Sequence, residues 1–473
     1  MTTIPVRTLS GEDTRLDPAR LSALAAGLRG KLLLGGDPGY DEARALWNGM
    51  IQRRPGVVAR CIGASDVKAC VDFARGEGLR LCIRGGGHNI AGLALEDGAF
   101  AIDLSLMRGV WVDEASRTAR AQGGCTLGDV DRETQLHGLA AVLGFVSNTG
   151  VAGLTLGGGF GYLTRRFGWT SDTVRSFRLV TADGRLVRAG AALEPELFWA
   201  LRGGGGNFGV VTEIEYDLHP VGPEIVGGAI AWRGEDAPKV LAMYRELVAS
   251  APPELVCVAA VRLAPPAPWL PKDVHGKLIA ALFVCDTGPV EEAKKRVAPI
   301  KAFGKPVGDI VQLRPYVTQQ NLLDATQPNG RRYYWKSEYL PGVEPDLLEL
   351  CLRHGERVAS PHSAILLFPL RGALNEIPED RSAAGNRNAA FVLNVAGSWE
   401  RPEDDAANVA WARSAWSDMR RFSTGGTYIN FLTEDEGADR TRDAYGANYE
   451  RLAAIKRRVD PDNLFRVNKN IAP

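Results

Sequence analysis

A run of three glycines that ends at a histidine is the stretch of this chain whose residue types are best suited to chemistry. Gly85, Gly86 and Gly87 come shortly after the apolar run Leu79–Ile83, which is typical of a buried strand. Without a Cβ, such a loop can adopt positive φ and approach a ligand closely. Its successive N–H groups can then converge on a diphosphate. His88 adds a nucleophilic imidazole next to that position, so the combination favours a cofactor held by its phosphates and by a covalent bond.

Glycine is clustered rather than spread along this chain, which has 54 glycines in all. The clusters are 85–87, 150–161 and 203–209. They would build a poor core, because glycine costs conformational entropy and supplies no side chain. We therefore interpret them as backbone laid against a flat ligand. The first cluster lacks the G-x-G-x-x-G spacing, and no Gly-Lys-Ser/Thr follows it. Taken alone, that first cluster is equally compatible with a tight turn beside a surface histidine.

Composition bounds the class of protein. The 473 residues are too many for one ordinary core and predict two or three domains. Lys plus Arg and Asp plus Glu both total 56, so the net charge is zero, and nucleic acid or an anionic membrane surface is not an expected partner. No apolar run reaches the length of a membrane span, and the N-terminus does not have the pattern of a secretory signal. The seven cysteines include no C-x-x-C pair, so we expect no metal site and a cytoplasmic protein.

The elements around these loops divide the chain into two kinds of structure. Strand 58–61, helix 66–78 and strand 79–83 form a βαβ unit that ends on the triple-glycine loop. The Pro/Gly-rich segment 219–223 marks a boundary. Beyond it strands alternate with helices and no glycine cluster recurs, which predicts an α+β domain on an antiparallel sheet. The tail from residue 445 is too short to be a domain and must pack on one of the others.

Four motifs occur in an order that resembles a known family. They are Arg84–Asn89, Thr149–Gly161, Leu201–Val211 and the tail pattern within Asn448–Ile471. From about Tyr40 to the end, the chain resembles the berberine-bridge-enzyme-like branch of the vanillyl-alcohol-oxidase/PCMH flavoproteins. The resemblance implies an α+β fold with a PCMH-type, two-subdomain FAD-binding domain over residues 1–222. It also implies an α+β substrate domain with an antiparallel sheet over 223–425, and a segment 426–473 that completes the FAD-binding domain.

The resemblance also implies how FAD is held. In the family, the histidine of the R-G-G-G-H loop is bonded to the flavin 8α-methyl carbon, and His88 occupies that position. Many relatives carry a second link from a cysteine, whose place is taken here by Val146, so we expect one covalent bond and no cysteinyl link. The expected cofactor-binding residues are Arg84, Gly85, Gly86, Gly87, His88, Asn89, Gly92, Thr149, Gly150, Gly153, Gly157, Gly158, Gly159, Gly161, Gly209, Val211, Asn468 and Asn470.

Three residues are candidates for catalysis. Relatives use a tyrosine or glutamate to take a proton while hydride leaves for flavin N5, and this requires a proton acceptor near the transferring hydrogen. Tyr428 begins a segment similar to a family Y-x-N-Y motif, whose second tyrosine is replaced here by Phe431. Tyr428 is therefore a candidate base, although a buried tyrosine with a purely structural role fits the pattern equally well. Asn394 stands where some relatives have a glutamate, and it can orient a substrate but not accept its proton. Tyr334 is the third candidate, although aromatic residues in such a strand more often form core or pocket wall.

The expected activity is that of a hydrogen-peroxide-forming FAD oxidase acting on a small-molecule alcohol, amine or secondary metabolite, as a monomer or homodimer, with O2 as acceptor. Thr149 replaces a small aliphatic residue that is linked in relatives to oxygen access. A dehydrogenase with another acceptor therefore stays open, as does a flavin-binding protein without turnover. The acidic run Glu434–Glu436 is most simply a solvated loop.

Overall fold

Two sheets in the N-terminal half and one large sheet in the middle of the chain organise the fold of residues 3–473, the part that this computed structural model describes. In chain order the strands are β1 (Ile4–Arg7), β2 (Asp13–Leu16), β3 (Lys31–Leu33), β4 (Val57–Arg60), β5 (Leu81–Arg84), β6 (Phe100–Asp103), β7 (Val110–Asp113), β8 (Thr118–Gln122), β9 (Leu139–Ala140), β10 (Val174–Val180), β11 (Leu186–Gly190), β12 (Val210–Asp217), β13 (His219–Pro220), β14 (Glu224–Arg233), β15 (Leu255–Leu263), β16 (Leu278–Asp286), β17 (Gly308–Asp309), β18 (Gln312–Pro315), β19 (Arg332–Leu340), β20 (Ala364–Pro369) and β21 (Phe391–Trp399).

The helices surround these sheets. They are α1 (Pro18–Gly27), α2 (Tyr40–Ala43), α3 (Ala64–Gly76), α4 (Leu127–Gln135), α5 (Val151–Leu156), α6 (Thr164–Phe167), α7 (Pro195–Leu201), α8 (Ala237–Ser250), α9 (Val290–Lys301), α10 (Tyr316–Gln320), α11 (Pro345–Glu356), α12 (Ala373–Glu376), α13 (Asp405–Met419), α14 (Ala438–Tyr445) and α15 (Tyr449–Val459). Among residues 3–473, no helix is long and apolar enough to span a bilayer.

The first sheet delivers the triple-glycine loop. Its order is β3-β4-β6-β5, and β6 pairs in parallel with both β4 and β5. Between β4 and β5 the chain passes through α3, which buries Val67, Cys70, Val71 and Ala74 at helical spacing. The predicted βαβ unit is present, with β6 inserted between its two strands. The glycine loop therefore leaves the sheet at the carboxyl end of β5.

The second sheet carries the other glycine segments. It is antiparallel, in the order β11-β10-β12-β8-β7. The third glycine cluster leads directly into β12. The second cluster is not irregular throughout. Its first part folds into the short helix α5. Gly153 lowers the intrinsic helix propensity of this segment, but the free-energy difference is small enough for tertiary packing to override it.

The large sheet confirms the predicted α+β architecture. Its eight strands run antiparallel in the order β17-β14-β16-β15-β20-β21-β19, with β18 also paired with β14. One face packs under helices α8, α9, α11 and α13 in a single apolar core. The other face packs against the N-terminal half, where Phe368 and Val392 share a core with Phe160 and Trp169. Side chains that alternate along β19, β20 and β21 therefore point either at helices or at the N-terminal half.

The C-terminal tail packs on the N-terminal half. Helix α15 places Leu452 and Ile455 in the same core as Trp199. Its Lys456 is fully buried, and Nζ donates to Asp460 at 2.6 Å and to the carbonyl oxygen of Asn207 at 2.7 Å. These contacts join the tail to the third glycine cluster. The boundaries 222/223 and 425/426 stay predictions.

Candidate functional site

A cavity of about 310 Å³ lies where the glycine loops, the C-terminal tail and the large sheet meet. The sheet contributes Trp335 from β19, Phe368 from β20 and Asn394 from β21 to its wall. Most of the predicted site residues lie on this wall. They are Gly85, Gly86, Gly87, His88, Asn89, Thr149, Gly150, Gly153, Gly209, Val211, Asn394, Tyr428 and Asn468.

The first two glycine loops touch each other, backbone against backbone. A Cβ added to Gly86 would lie 2.5 Å from the main-chain nitrogen of Gly150, and a Cβ added to Gly150 would lie 2.5 Å from that of Gly86. A side chain at either position would push the loops apart. At Gly153, by contrast, an added Cβ would meet no atom within 4 Å. The glycines therefore serve two purposes, close packing between the loops and open space on the cavity wall.

His88 lies on the wall with its ring held by two neighbours. Its imidazole stacks on Trp47, with ring centroids 4.3 Å apart, and Nε2 lies 3.0 Å from Oδ1 of Asn148. Burial lowers the pKa of His88 to about 4. The ring is therefore neutral at pH 7, the protonation state in which an imidazole nitrogen keeps a lone pair for bond formation.

Trp47 and Asn48 join the histidine loop to the large sheet. Trp47 stacks on Tyr333 with ring centroids 3.7 Å apart. Asn48 Nδ2 donates to the carbonyl oxygens of Ile90 and Tyr333, each at 2.9 Å. Sequence reasoning missed both residues, and Asn148 as well. No motif includes Trp47 or Asn48, whereas Asn148 directly precedes the second motif, and that position was the available signal.

Tyr428 is buried on the cavity wall. Its hydroxyl accepts a hydrogen bond from Nδ2 of Asn430 at 2.9 Å, and its ring packs edge-on against Phe160 and Phe431, each at 4.9 Å. Burial raises the pKa of Tyr428, so the phenol keeps its proton at neutral pH. Because Asn430 already donates to the oxygen, the phenolic proton can be directed at another acceptor.

Asn394 is buried on β21, and its Oδ1 has no hydrogen-bond partner among the described residues. In the sheet it pairs with Ser337 of β19 and Leu366 of β20. Leu366 also lies on the cavity wall. Because buried side-chain polar atoms usually have partners, the free amide oxygen is a candidate contact for a bound molecule.

Tyr334 points away from the cavity. Its hydroxyl donates to Oδ2 of Asp435 at 2.7 Å and accepts from Nε of Arg413 at 2.9 Å. Residues alternate across a strand, so the cavity side of β19 belongs to Trp335 and Tyr333. The structure does not bring Tyr334 to the site, because the sequence pattern identified the strand but not which face of it is turned to the cavity.

Several predicted cofactor-binding residues shape the loops without reaching the cavity wall. Arg84 donates to Oδ1 of Asp103 at 3.1 Å, and Asn470 is exposed. Among the glycines, Gly159 has φ of +78° and Gly92 has φ of +70°, a region that favours glycine. The residues the structure does not place on the wall are Arg84, Gly92, Gly157, Gly158, Gly159, Gly161, Asn470 and Tyr334.

The acidic run near the tail is not simply a solvated loop, and that interpretation is wrong. The side chain of Glu436 is only 5% exposed, and Lys336 Nζ lies 3.5 Å from it and 3.1 Å from Oδ1 of Asp435. Beside this group Lys469 reaches the cavity wall, and its Nζ donates to the carbonyl oxygen of Thr433 at 2.7 Å. Burial lowers the pKa of Lys469 to about 8. The acidic run thus helps to hold a lysine at the cavity.

The wall suits a large, flat cofactor that carries phosphates. Open space lies in front of Gly153, and the nearest atom to a Cβ added at Gly206 is 4.0 Å away. In the described chain, the Tyr445 hydroxyl and Asn468 Oδ1 are buried on this wall without partners. The flavin ring, ribose hydroxyls and diphosphate of FAD supply the flat surface and the polar atoms that such groups need. Within residues 3–473, no cluster of three or more His, Cys, Asp or Glu side chains could hold a metal ion.

Comparison with known proteins defines the class. The family model described as an FAD binding domain matches residues 55–190, and the model described as berberine and berberine like matches residues 427–472. The (R)-6-hydroxynicotine oxidase of Paenarthrobacter nicotinovorans is 31% identical over 469 residues, which cover 94% of this chain and 97% of that protein. An FAD-linked oxidoreductase of Dictyostelium discoideum is 30% identical over 431 residues, or 90% and 91% of the two chains.

Solved structures agree with this assignment. The crystal structure of 6-hydroxy-D-nicotine oxidase from Arthrobacter nicotinovorans superposes with a TM-score of 0.83 at 28% identity, covering 94% of this chain and 98% of that one. The BBE-like 1 protein of Physcomitrella patens shares the fold, with a TM-score of 0.85 at 21% identity over 96% and 99% of the two chains. Fold and site therefore define a PCMH-type FAD-linked oxidoreductase. The chain belongs to the berberine-bridge-enzyme-like family.

Proposed function

We propose that this protein is an FAD oxidase that carries its FAD on a single covalent bond from His88 and oxidises a small-molecule alcohol, amine or secondary metabolite. Bound FAD would accept the hydride at N5, and O2 would then reoxidise the flavin with hydrogen peroxide as product. The observation that carries the proposal is a neutral imidazole held on the cavity wall between the glycine loops and the large sheet. The names printed for a similar sequence and for a similar solved structure, both of a 6-hydroxynicotine oxidase, support the reaction class.

His88 and its neighbours prepare the covalent bond. Stacking on Trp47 sets the plane of the imidazole, and the contact of Nε2 with Asn148 selects one of the two ring orientations related by a half-turn about the Cβ–Cγ bond. A pKa of about 4 keeps the ring neutral at physiological pH, so a ring nitrogen stays available as nucleophile. In forming the bond, the 8α-methyl group would lose a proton and the bound flavin itself would take up the two electrons, after which O2 would reoxidise it. Val146 lies on the same wall and has no nucleophilic atom, which supports one tether rather than two.

The glycine loops and the tail are assigned to the rest of FAD. Gly85, Gly86 and Gly87 bring bare main chain to the wall, a surface suited to the diphosphate. Asn468 and Tyr445 offer unpartnered polar atoms, and Lys469 offers a positive charge. We accordingly assign cofactor binding to residues 1–222 together with 426–473, and substrate binding to 223–425.

Tyr428 and Asn394 are the groups assigned to the substrate. Bound FAD supplies a two-electron acceptor at N5. Because its pKa is high, the Tyr428 phenol is protonated and suited to donate a hydrogen bond to a substrate heteroatom. It is less suited to act as a base that removes a proton from the substrate. Asn394, with a free amide oxygen, orients the molecule. The phenol donor and the amide acceptor together fix which carbon–hydrogen bond is presented to the flavin.

A dehydrogenase that passes electrons to another carrier is the second candidate. It is favoured by Thr149, a polar residue on the cavity wall where some relatives have a small aliphatic residue. The two candidates differ in one rate. If the reduced protein is reoxidised rapidly by air with formation of hydrogen peroxide, it is an oxidase, and slow reoxidation identifies the dehydrogenase.

Acid precipitation of the purified yellow protein tests the covalent bond. We expect the colour to stay with the precipitate in the wild type and to remain in the supernatant for His88→Ala. His137→Ala is the matched control, because His137 lies at the surface beside Glu114, 3.3 Å away, and its flavin should stay bound. Release of the flavin from acid-treated wild type would show that no covalent bond exists.

A further inference from the structure

A loop that leads into the large sheet reaches Trp47, the residue on which the His88 ring stacks. The loop spans residues 321–331, between α10 and β19. Nε1 of Trp47 donates to the carbonyl oxygen of Gln327 at 3.0 Å, and the main-chain nitrogen of Gly330 donates to the carbonyl oxygen of Trp47 at 2.9 Å. The aromatic support of the imidazole is therefore fixed from a distant part of the chain.

The same loop holds the turn that carries Asn148. The carboxylate of Asp324 accepts from the main-chain nitrogen of Ser147 at 2.8 Å and from its hydroxyl at 2.5 Å. Within the turn, the main-chain nitrogen of Thr149 donates to the carbonyl oxygen of Val146 at 3.1 Å, which is the hydrogen bond typical of a β-turn. Both carboxylate oxygens of Asp324 thus bind the residue directly before Asn148.

Helix α4 holds the other side of this turn. The main-chain nitrogen of Gly128 donates to the carbonyl oxygen of Ser147 at 2.8 Å, and that of Leu127 donates to the carbonyl oxygen of Thr149 at 2.9 Å. A Cβ added at Gly128 would lie 3.2 Å from the Cβ of Ser147, so the helix and the turn are in close contact. The turn is therefore held by main-chain atoms of α4 and by the side chain of Asp324. The side-chain contact can be removed by substitution without a change in the helix.

Asn148 decides which nitrogen of His88 carries the ring proton. Its Oδ1 lies 3.0 Å from Nε2 of the imidazole. An amide oxygen only accepts, so the contact places the ring proton on Nε2 and leaves the lone pair on Nδ1. The stack and this contact together set the plane, the orientation and the tautomer of the ring, and residues 321–331 support both of them.

We propose that Asp324 is a positioning residue for the covalent attachment of FAD. It acts on His88 through Ser147 and Asn148. The inference rests on the proposed function, which supplies the covalent bond. The bond forms between Nδ1 and the flavin 8α-carbon as one carbon–hydrogen bond of the methyl group breaks. The electron pair passes to the flavin ring and from there to O2, and the methyl proton and the Nε2 proton complete hydrogen peroxide.

The rate of attachment tests this role. Full-length apoprotein, produced under riboflavin limitation, is mixed with saturating FAD, and acid-stable flavin is followed with time. Asp324→Ala should slow attachment by about fivefold to tenfold, since small misplacements of a reacting group carry large rate penalties. The dissociation constant for FAD before bond formation should change little, because Asp324 does not line the cavity. An unchanged rate, or weaker FAD binding in place of a slower rate, overturns the proposal.

Two further variants separate positioning from general damage. Asp324→Asn can still accept from the main-chain nitrogen of Ser147 and donate to its hydroxyl, so it should keep most of the wild-type rate. Asp37→Ala is the matched control, because Asp37 accepts from the main-chain nitrogen of Leu34 at 2.8 Å in an exposed turn away from the cavity. It should attach FAD at the wild-type rate. An equally slow Asp37→Ala would overturn the assignment to Asp324.

A double-mutant cycle tests the route from Asp324 to the imidazole. Asp324→Ala should slow attachment much less in an Asn148→Leu background, because the contact that Asp324 supports is already missing there. Equal slowing in both backgrounds overturns the route through Asn148.

The tautomer of His88 gives a readout without flavin. Nitrogen NMR of apoprotein with labelled histidine should show the Nε2–H tautomer in the wild type and a mixture of both tautomers in Asp324→Ala. The same tautomer in both proteins overturns the proposal. A wild type that releases its flavin in acid contradicts the covalent bond itself, and this proposal with it. A wild type that retains its flavin, with Asp324→Ala attaching FAD equally fast, contradicts the positioning role alone.

Discussion

At the scale of single residues, Asn148 shows how a side chain outside every motif can decide the chemistry at His88. Its Oδ1 lies 3.0 Å from Nε2 of the imidazole, whereas the stack on Trp47 is compatible with either of the two ring orientations related by a half-turn about the Cβ–Cγ bond. Attack on a carbon requires the lone pair to point along the forming bond. Asn148 is therefore a positioning residue for covalent attachment.

Replacing Asn148 by leucine should slow covalent attachment by about tenfold or more, since small misplacements of a reacting group carry large rate penalties. Apoprotein is mixed with saturating FAD, and the acid-stable flavin is followed with time. The dissociation constant for FAD before bond formation is measured in parallel and should change little. A variant that loses FAD affinity and attachment rate together would instead indicate a general structural role for Asn148.

Residue types and spacing predicted which glycine loops reach the cavity, but not which face of β19 is turned to it. The three glycines, His88 and Asn468 all lie on the cavity wall, because close approach of backbone and a nucleophile at a strand end leave a clear pattern in sequence. On β19 the same approach selected Tyr334, which points away, and passed over Trp335. A strand that is buried on both faces has no hydrophobic alternation to tell the faces apart.

At the scale of elements, the contact between α4 and α10 joins the N-terminal half to the large-sheet domain through a buried acid. Gln320 Nε2 donates to Oδ2 of Asp131 at 3.1 Å and to the carbonyl oxygen of Gly144 at 3.2 Å. Asp131 is fully buried, and its Oδ1 has no partner within the described chain. Burial raises the pKa of Asp131 to about 7. Sequence reasoning could not find this contact, because the two helices are far apart in the chain.

This acid should make stability depend on pH. The unfolded pKa of an aspartate is about 3.9, so between roughly pH 4 and pH 7 the folded protein holds one more proton than the unfolded chain. The free energy of unfolding therefore falls as pH rises through this range. Asp131→Asn removes the effect and should be more stable than wild type by roughly 2–4 kcal/mol at pH 8. The two proteins should be nearly equal at pH 4.

Urea unfolding at pH 4, 6 and 8 measures this dependence. The matched control is Asp439→Asn, since Asp439 is exposed on α14 and its change should leave the fall in stability from pH 4 to pH 8 in place. A stability difference between Asp131→Asn and wild type that stays constant from pH 4 to pH 8 would mean that Asp131 is ionised throughout.

At the scale of the whole molecule, the cavity is assembled from parts that are distant in sequence. The glycine loops come from the first half of the chain, Trp335 and Asn394 from the large sheet, and Asn468 and Lys469 from the tail. The order of motifs predicted which parts meet. The order of motifs could not predict the contacts that hold these parts together. The contacts are made by single polar side chains, such as Asn48, Asn207 and Lys456, whose partners lie in other parts of the chain.

Lys456 connects the tail to the third glycine cluster through buried hydrogen bonds. Besides Asp460 and Asn207, its Nζ donates to the carbonyl oxygen of Phe465 at 3.0 Å, and lysine and aspartate are both fully buried. Asp460 in turn accepts from the main-chain nitrogens of Leu464 and Phe465. Lys456→Met leaves the Asp460 carboxylate buried without its cation, which should lower the free energy of unfolding by roughly 3–5 kcal/mol.

The same change should weaken FAD binding, because the segment that follows Phe465 carries Asn468 and Lys469 to the wall. Urea unfolding of the apoprotein and titration with FAD measure the two effects separately. Arg457→Met is the matched control, since Arg457 is the exposed next residue of α15 and should change neither quantity. If Lys456→Met is destabilised but binds FAD as tightly as the control, the tail contributes stability without shaping the cofactor site. Reduced FAD affinity in Lys456→Met alone would show that a buried ion pair at the end of the chain completes a site that begins at Gly85.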